Sequence, residues 1–218
     1  MVEKIYFYVL NKVRESYWIT LMIFKLKIKR KKLVLNWDMT TIVMKKAIDQ
    51  YIMDANKEIF EMGVGHIAII AQYIKKFHPT NTVSGCDIYD EFVENALYNA
   101  SINNLDINIW RSDLYENIDG NFDYILFNPP YIPMQEEEIE FPLTGYSGSD
   151  GMDATRAFLS QSKIYLKDKG MIFLGINCYY IPYEKLISII QSYGYSIKEV
   201  ISRKFNTSKV FVLTYDVS

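Results

Sequence analysis

The chain has 218 residues, half of them hydrophobic, and a net charge of −2, which suits one globular domain and supplies no global positive field for nucleic acid. Two distant cysteines, Cys86 and Cys178, give neither a disulfide framework nor a metal spacing, and the two histidines, His66 and His78, argue against a histidine-built metal centre. No apolar run reaches the roughly 20 residues of a membrane helix, so a reducing, cytoplasmic setting without membrane contact fits.

Residues 1–24 read as one or two short helices. In Lys25–Leu35 apolar Leu26 and Ile28 alternate with lysines, as in a half-exposed strand. Six of the eight residues from Lys25 to Lys32 are basic. They suit a phosphate-facing strip or a solvated edge strand whose lysines block further pairing. A helix follows over Thr41–Ala55, with Asp38 or Thr40 as its cap.

Glu58–Ala68 reads as a short strand ending at Glu61, then a loop with Gly63 and Gly65, then a helix of about His66–Phe77. Gly63 permits a tight turn, and Gly65 lets the backbone approach a ligand without a Cβ in the way. A third glycine is usual in such loops, and Ile67 stands in its place. The next strand, Thr82–Asp87, ends on an acid about 20 residues beyond the loop, where a carboxylate commonly binds ribose hydroxyls. A helix over Asp90–Asn103 and a strand over Ile107–Trp110 follow, and then Asp113 and Leu114.

Phe122–Phe127 reads as a buried strand. Neither Pro129 nor Pro130 can donate to a sheet ladder, so the strand stops at Asn128. Asn128 and bare backbone carbonyls are then left at the carboxyl edge of a sheet, where open α/β folds bind ligands. Tyr131 adds an aromatic face. Gln135–Glu140 holds four glutamates in six residues and reads as a solvated acidic loop. Phe141–Gly151 is dense in turn residues and suits a wall or lid. A helix over Met152–Lys167 ends at Gly170 as a C-cap. Then come a strand over Gly170–Asn177, a helix over Ile181–Tyr193 with Pro182 in its first turn, and closing strands over Ser196–Arg203 and Val210–Tyr215.

The tetrad Asn128-Pro129-Pro130-Tyr131 resembles the catalytic motif of amino-group methyltransferases that use S-adenosylmethionine (SAM). The order of glycine loop, strand-end acid, Asp113 and tetrad covers residues 58–131. With Gly148-Ser-Asp-Gly151 before a helix, and Ile201-Ser-Arg-Lys and Val210–Thr214 at the close, it is similar to the HemK-type protein-glutamine methyltransferases, in particular their short branch.

The resemblance implies an α/β class I methyltransferase fold: a Rossmann-like, doubly wound, seven-stranded sheet with a C-terminal antiparallel hairpin. Residues 39–218 would form that domain, and residues 1–38 an extension of short helices and a basic strand. The resemblance also implies SAM as cofactor and a methyl acceptor on a glutamine of a translation release factor. It implies, too, a small zinc-binding activator subunit as partner. Glu61 would lie near the ammonium of SAM, Asp87 at its ribose, Asp113 at its adenine amino group and Leu114 on the ring, with Asn128 bordering the cofactor. Asn128 and the Pro129 carbonyl would accept hydrogen bonds from the substrate nitrogen, and Tyr131 would stack on its planar group, so that catalysis is positioning plus dipole stabilisation. The same chemistry on an RNA or DNA base, adenine N6 or guanine N2, stays open, as does a non-catalytic module that holds SAM or a partner.

Overall fold

The structure, a computed structural model, describes residues 2–30, 35–134 and 145–215, with side chains from Tyr8 onwards. The first helices are α1 (Val2–Glu15), α2 (Tyr17–Phe24) and α3 (Met39–Tyr51). There follow β1 (Glu58–Met62), α4 (Ile69–Phe77), β2 (Thr82–Asp87), α5 (Asp90–Ile102), β3 (Asn108–Arg111) and β4 (Phe122–Phe127). The chain closes with α6 (Asp153–Gln161), β5 (Leu166–Asn177), α7 (Tyr183–Ser192), β6 (Ser196–Ser202) and β7 (Ser208–Thr214).

The strands form one sheet in the order β3-β2-β1-β4-β5-β7-β6. From β3 to β5 all pairings are parallel. β7 runs antiparallel to both β5 and β6. This is the doubly wound sheet with a terminal hairpin that the sequence implied. Side chains alternate between the two faces of each strand, so each face has its own core. Ile59, Val83, Leu126 and Val212 pack with α3, α4, α5 and the amino-terminal residues Phe24, Leu26 and Ile28. Phe60, Ile125, Leu174 and Phe211 pack with α6 and α7. Chain order reverses direction between β1 and β4, so their carboxyl ends flank the switch point at which such sheets bind ligands.

The helix read over Thr41–Ala55 is α3, Met39–Tyr51, and Pro182 is the N-cap of α7 rather than a residue of its first turn; three further expectations are corrected. Lys25–Arg30 alternates between exposed and buried as read, but pairs with no strand, and Lys31–Val34 lies outside the described residues. Asn99 of α5 and Asn103 at its C-cap supply the missing ladder. Asn103 accepts from Lys27 N at 2.9 Å and donates to Lys27 O at 2.8 Å, and Asn99 does the same for Lys29 at 2.7 and 3.0 Å. The helix read over Met152–Lys167 ends at Gln161, and Ser162–Tyr165 is a 3-10 turn. Gly170 therefore lies inside β5 rather than capping a helix. Leu166 pairs with Phe122 and Met171 with Tyr124, so Lys167–Gly170 bulges against a single residue of β4. Finally, α4 begins at Ile69, not His66, because Val64–Ala68 is spent on the loop, with Ala68 left-handed at φ 53°. The acidic loop 135–140 and residues 141–144 lie outside the described residues. Among the described residues no helix is long and apolar enough to cross a membrane.

Candidate active site

β1 and β2 bring together Glu61, Gly63, Gly65 and Asp87, the residues that the resemblance assigns to the cofactor. Glu61 is buried, and its Oε2 accepts the Ala71 N–H at 2.7 Å. α4 has no side-chain cap of its own at Ala68, so Glu61 caps its first turn from another element. Burial, with a smaller push from Asp87, raises the Glu61 carboxyl to about 8. Asp87 Oδ2 accepts the Gly65 N–H at 2.9 Å, and Oδ1 accepts Tyr89 N–H at 3.2 Å. Burial pushes its carboxyl upward too.

The loop between the two acids carries Gly63 and Gly65, both at φ +64°, a region that L side chains rarely adopt. A Cβ at Gly63 would lie 3.1 Å from the Phe127 ring, whereas one at Gly65 would meet nothing within 4 Å. Gly65 thus opens onto free space, as a loop that cradles a ligand must. Ile67, in the place of a third glycine, is 1% exposed and sits in the core with Val64 and Ala68. Its bulk is therefore turned into the core and away from the open side of Gly65.

A cleft of about 420 Å³ lies between Ile88–Phe92 and Arg111 at the ends of β2 and β3. Asp113 follows β3 and is exposed. Leu114, at φ 47°, packs against the core cluster that includes Phe158 and Leu159. Asp113 makes no hydrogen bond to the other candidate residues among those described.

β4 delivers the tetrad. Pro129 is buried, and Asn128, Pro130 and Tyr131 are partly buried. Asn128 Oδ1 is buried and takes no hydrogen bond within the described residues. Such an acceptor costs about 1–3 kcal/mol if nothing ever satisfies it. Asn128 Nδ2 faces the Asp38 carboxylate at 3.4 and 3.5 Å. Tyr131 donates its hydroxyl to Asp38 Oδ2 at 2.7 Å, with Thr40 Oγ1 3.3 Å away. Burial, with the nearby Asp38 charge, pushes the Tyr131 phenol well above the usual tyrosine range.

Asp38 thus touches the tetrad as well as capping α3. The sequence showed only the cap, because the contacts reach 90 and 93 residues along the chain. Behind the tetrad, Ile132 N–H bonds to Gly145 O at 2.9 Å and Met134 N–H to Gly148 O at 2.8 Å. Asp150 binds Arg156 and, at 2.8 Å, Lys185, tying this segment to α6 and α7. Those cations hold its carboxyl well below the usual range.

Residues 36–204 match the methyltransferase small domain family. The chain belongs to that family. Among curated relatives it is 38% identical over 122 residues to a Methanocaldococcus jannaschii protein provisionally named a protein N5-glutamine methyltransferase, a match covering 54% of this chain and 60% of that one. It is 32% identical over 133 residues to a release factor glutamine methyltransferase of Streptococcus pneumoniae, covering 57% and 47%. A ribosomal protein uL3 glutamine methyltransferase of Neisseria meningitidis serogroup A is 31% identical over 124 residues, covering 53% and 40%. The chain thus spans between 40% and 60% of the length of these relatives. Among solved structures, a Pyrococcus furiosus methyltransferase matches with a TM-score of 0.69 at 20% identity, over 98% of both chains. The ribosomal protein L11 methylase of Lactobacillus delbrueckii subsp. bulgaricus matches at 0.64 and 19%, over 82% of this chain and 79% of that one. These likenesses show that this methyltransferase-family chain has the class I fold.

Proposed function

We propose that the chain transfers a methyl group from SAM to the side-chain amide nitrogen of a protein glutamine. The observation that carries this is Asn128 Oδ1, a buried acceptor without a donor, next to the Pro129 carbonyl at the end of a parallel strand. An amide nitrogen has a delocalised lone pair and is a poor nucleophile. Two acceptors placed on its N–H groups orient it, raise its electron density and stabilise the positive charge that develops on it. SAM supplies the electrophilic methyl group.

The residues of the other half of the site fit that cofactor. Glu61 and Asp87 are acids suited to an ammonium and to ribose hydroxyls, and Asp87 has lone pairs left beyond its two backbone bonds. Gly63 and Gly65 allow close approach, and the cleft lined by Ile88–Phe92 and Arg111 follows Asp87 in the chain; the resemblance assigns the adenine to Asp113 and Leu114, just beyond Arg111. The relatives named for release factor and uL3 glutamine methylation support a protein acceptor of the translation apparatus. The short-branch resemblance extends the proposal to a small zinc-binding activator subunit, tested by assaying the chain with and without one.

A second reading, methylation of a nucleic-acid base, is favoured by exposed Lys25 and Lys27. Against it, Arg30 of the same strip pairs with Glu15 at 3.3 Å, and Lys29 lies over the Tyr98 ring at 4.6 Å.

The test is transfer of labelled methyl from SAM to release factor, uL3 or RNA. Label on a protein glutamine is expected. Asn128→Ala should lower kcat by about 10²–10³-fold and leave SAM affinity nearly intact, while Asp87→Ala should weaken SAM binding. Label that enters RNA only, with steep loss at higher salt, would replace the glutamine reading with the base reading. Equal loss of turnover and SAM binding in Asn128→Ala would refute the role given to Asn128.

A further inference from the structure

The Asp38 carboxylate does more than its helix requires. Oδ1 accepts Thr41 N–H and Thr41 Oγ1–H, both at 2.7 Å, and Thr41 Oγ1 accepts Asp38 N–H at 3.2 Å. This capping box needs only one carboxylate oxygen. The other, Oδ2, accepts the Tyr131 hydroxyl at 2.7 Å, and both oxygens face Asn128 Nδ2. α3 can stand this close because β5 carries Gly175 opposite. A Cβ there would lie 2.6 Å from Thr40 Cγ2 and 3.5 Å from Asn128 Oδ1.

An asparagine amide has two orientations, related by a half-turn that exchanges its oxygen and its NH₂. Against a carboxylate they are not equal. NH₂ towards Asp38 is attractive, whereas Oδ1 towards Asp38 sets two acceptors against each other. The carboxylate therefore fixes which end of Asn128 is turned away from it, and that end is Oδ1, the acceptor without a donor.

We propose that Asp38 is the positioning residue of the catalytic edge: it locks the Asn128 amide so that the site presents an acceptor, and thereby selects substrates that bring an N–H donor. This rests on the methyl-transfer reading. The consequence is discrimination. A glutamine amide can satisfy Asn128 Oδ1, whereas a glutamate carboxylate in the same place would set a charge against it and leave it unpaired.

Asp38→Asn tests this without removing a cap, since Asn caps helices as well as Asp does. Asp38→Ser is the second variant, because serine also caps but is too short to reach Tyr131 and Asn128. In both, kcat should fall by about 10²-fold, the scale of a misplaced reacting group. KM for the acceptor, the Kd for S-adenosylhomocysteine and the circular dichroism should stay close to wild type. Two readouts are independent of turnover. The Asn128 side-chain amide resonances, identified by their loss in Asn128→Ala, should move. The Tyr131 phenol, followed by ¹³Cζ titration, should ionise at lower pH once the Asp38 charge is gone. Wild-type turnover in both variants with unmoved Asn128 resonances would overturn the proposal. So would parallel losses of kcat, cofactor binding and fold, which mark a structural role. If the wild-type chain itself methylates no glutamine, the functional reading falls, and the resonances alone decide whether Asp38 orients Asn128.

Discussion

Glu61→Gln should make the ligand-free protein more stable at high pH while weakening its hold on SAM. Burial, foremost, holds the Glu61 carboxyl up at about 8, against 4.5 in a solvated chain. Between those values the folded state binds a proton that the unfolded state has released. Stability therefore falls as pH rises across the window. The contribution is fully present below about 4.5 and is lost as pH climbs towards about 8. At about 1.4 kcal/mol per pH unit, the ceiling over that span is on the order of 4–5 kcal/mol.

The amide introduced by this substitution carries no titratable proton, and its oxygen can still accept the Ala71 N–H that Glu61 accepts at 2.7 Å. Asp87 titrates in both proteins, so the difference between them isolates position 61. The assay is urea denaturation of wild type and variant at half-unit steps from pH 5 to pH 9, without cofactor. The wild type should lose several kcal/mol relative to the variant across this range. Parallel stability profiles would refute the argument, because they would mean that Glu61 is as well solvated when folded as when unfolded.

Gly175→Ala should displace the amino end of α3, since the new Cβ would lie 2.6 Å from Thr40 Cγ2 and 3.1 Å from Met44 Cε. Overpacking of this kind costs about 1–3 kcal/mol, and single-turnover kinetics should show a larger loss than cofactor titration does. Unchanged melting and turnover would show that α3 gives way freely. Asn99→Ala should cost about 1–3 kcal/mol, because fully buried Asn99 holds both backbone groups of Lys29. Hydrogen exchange at the Lys29 amide reads it directly, and protection that survives the substitution would disprove the asparagine ladder.

The strands that build the site were legible because buried parallel strands read as apolar runs with abrupt ends. Phe122–Phe127 stops at two prolines and Thr82–Asp87 at an acid, and the strands β4 and β2 have these bounds. The missed features depend on partners far along the chain. Lys25–Arg30 has the alternation of a strand, yet the groups that meet its backbone are asparagine side chains on a helix about 70 residues away. Lys167–Gly170 looks like a helix end until the bulge opposite Asp123 is known, where Lys167 Nζ reaches Asp123 Oδ2 at 2.8 Å. Asp38 is visible as a cap and invisible as a partner of Asn128 and Tyr131. Local sequence shows that an aspartate can cap a helix, but not that its second oxygen is left over for another purpose.

Hydrogen-bond polarity explains why a site on this fold suits SAM rather than a dinucleotide. In dinucleotide-binding folds the first helix after the glycine loop turns its free N–H groups and positive dipole towards a pyrophosphate. Here a carboxyl oxygen of the protein already holds that place, with Glu61 Oε2 on the Ala71 N–H in the first turn of α4. Asp87 takes the Gly65 N–H from the same loop. A phosphate would thus meet two acids where it needs donors. Along the rest of the edge, Asn128 Oδ1 and the Pro129 carbonyl are acceptors as well. On the proposed reading the ligand pair brings positive charge and donors: an ammonium to Glu61, hydroxyls to Asp87 and an N–H-bearing amide to Asn128. SAM and a glutamine side chain supply that set. The Asp38 carboxylate completes it, because without it Asn128 could turn its NH₂ outward and present a donor to a substrate that has donors of its own.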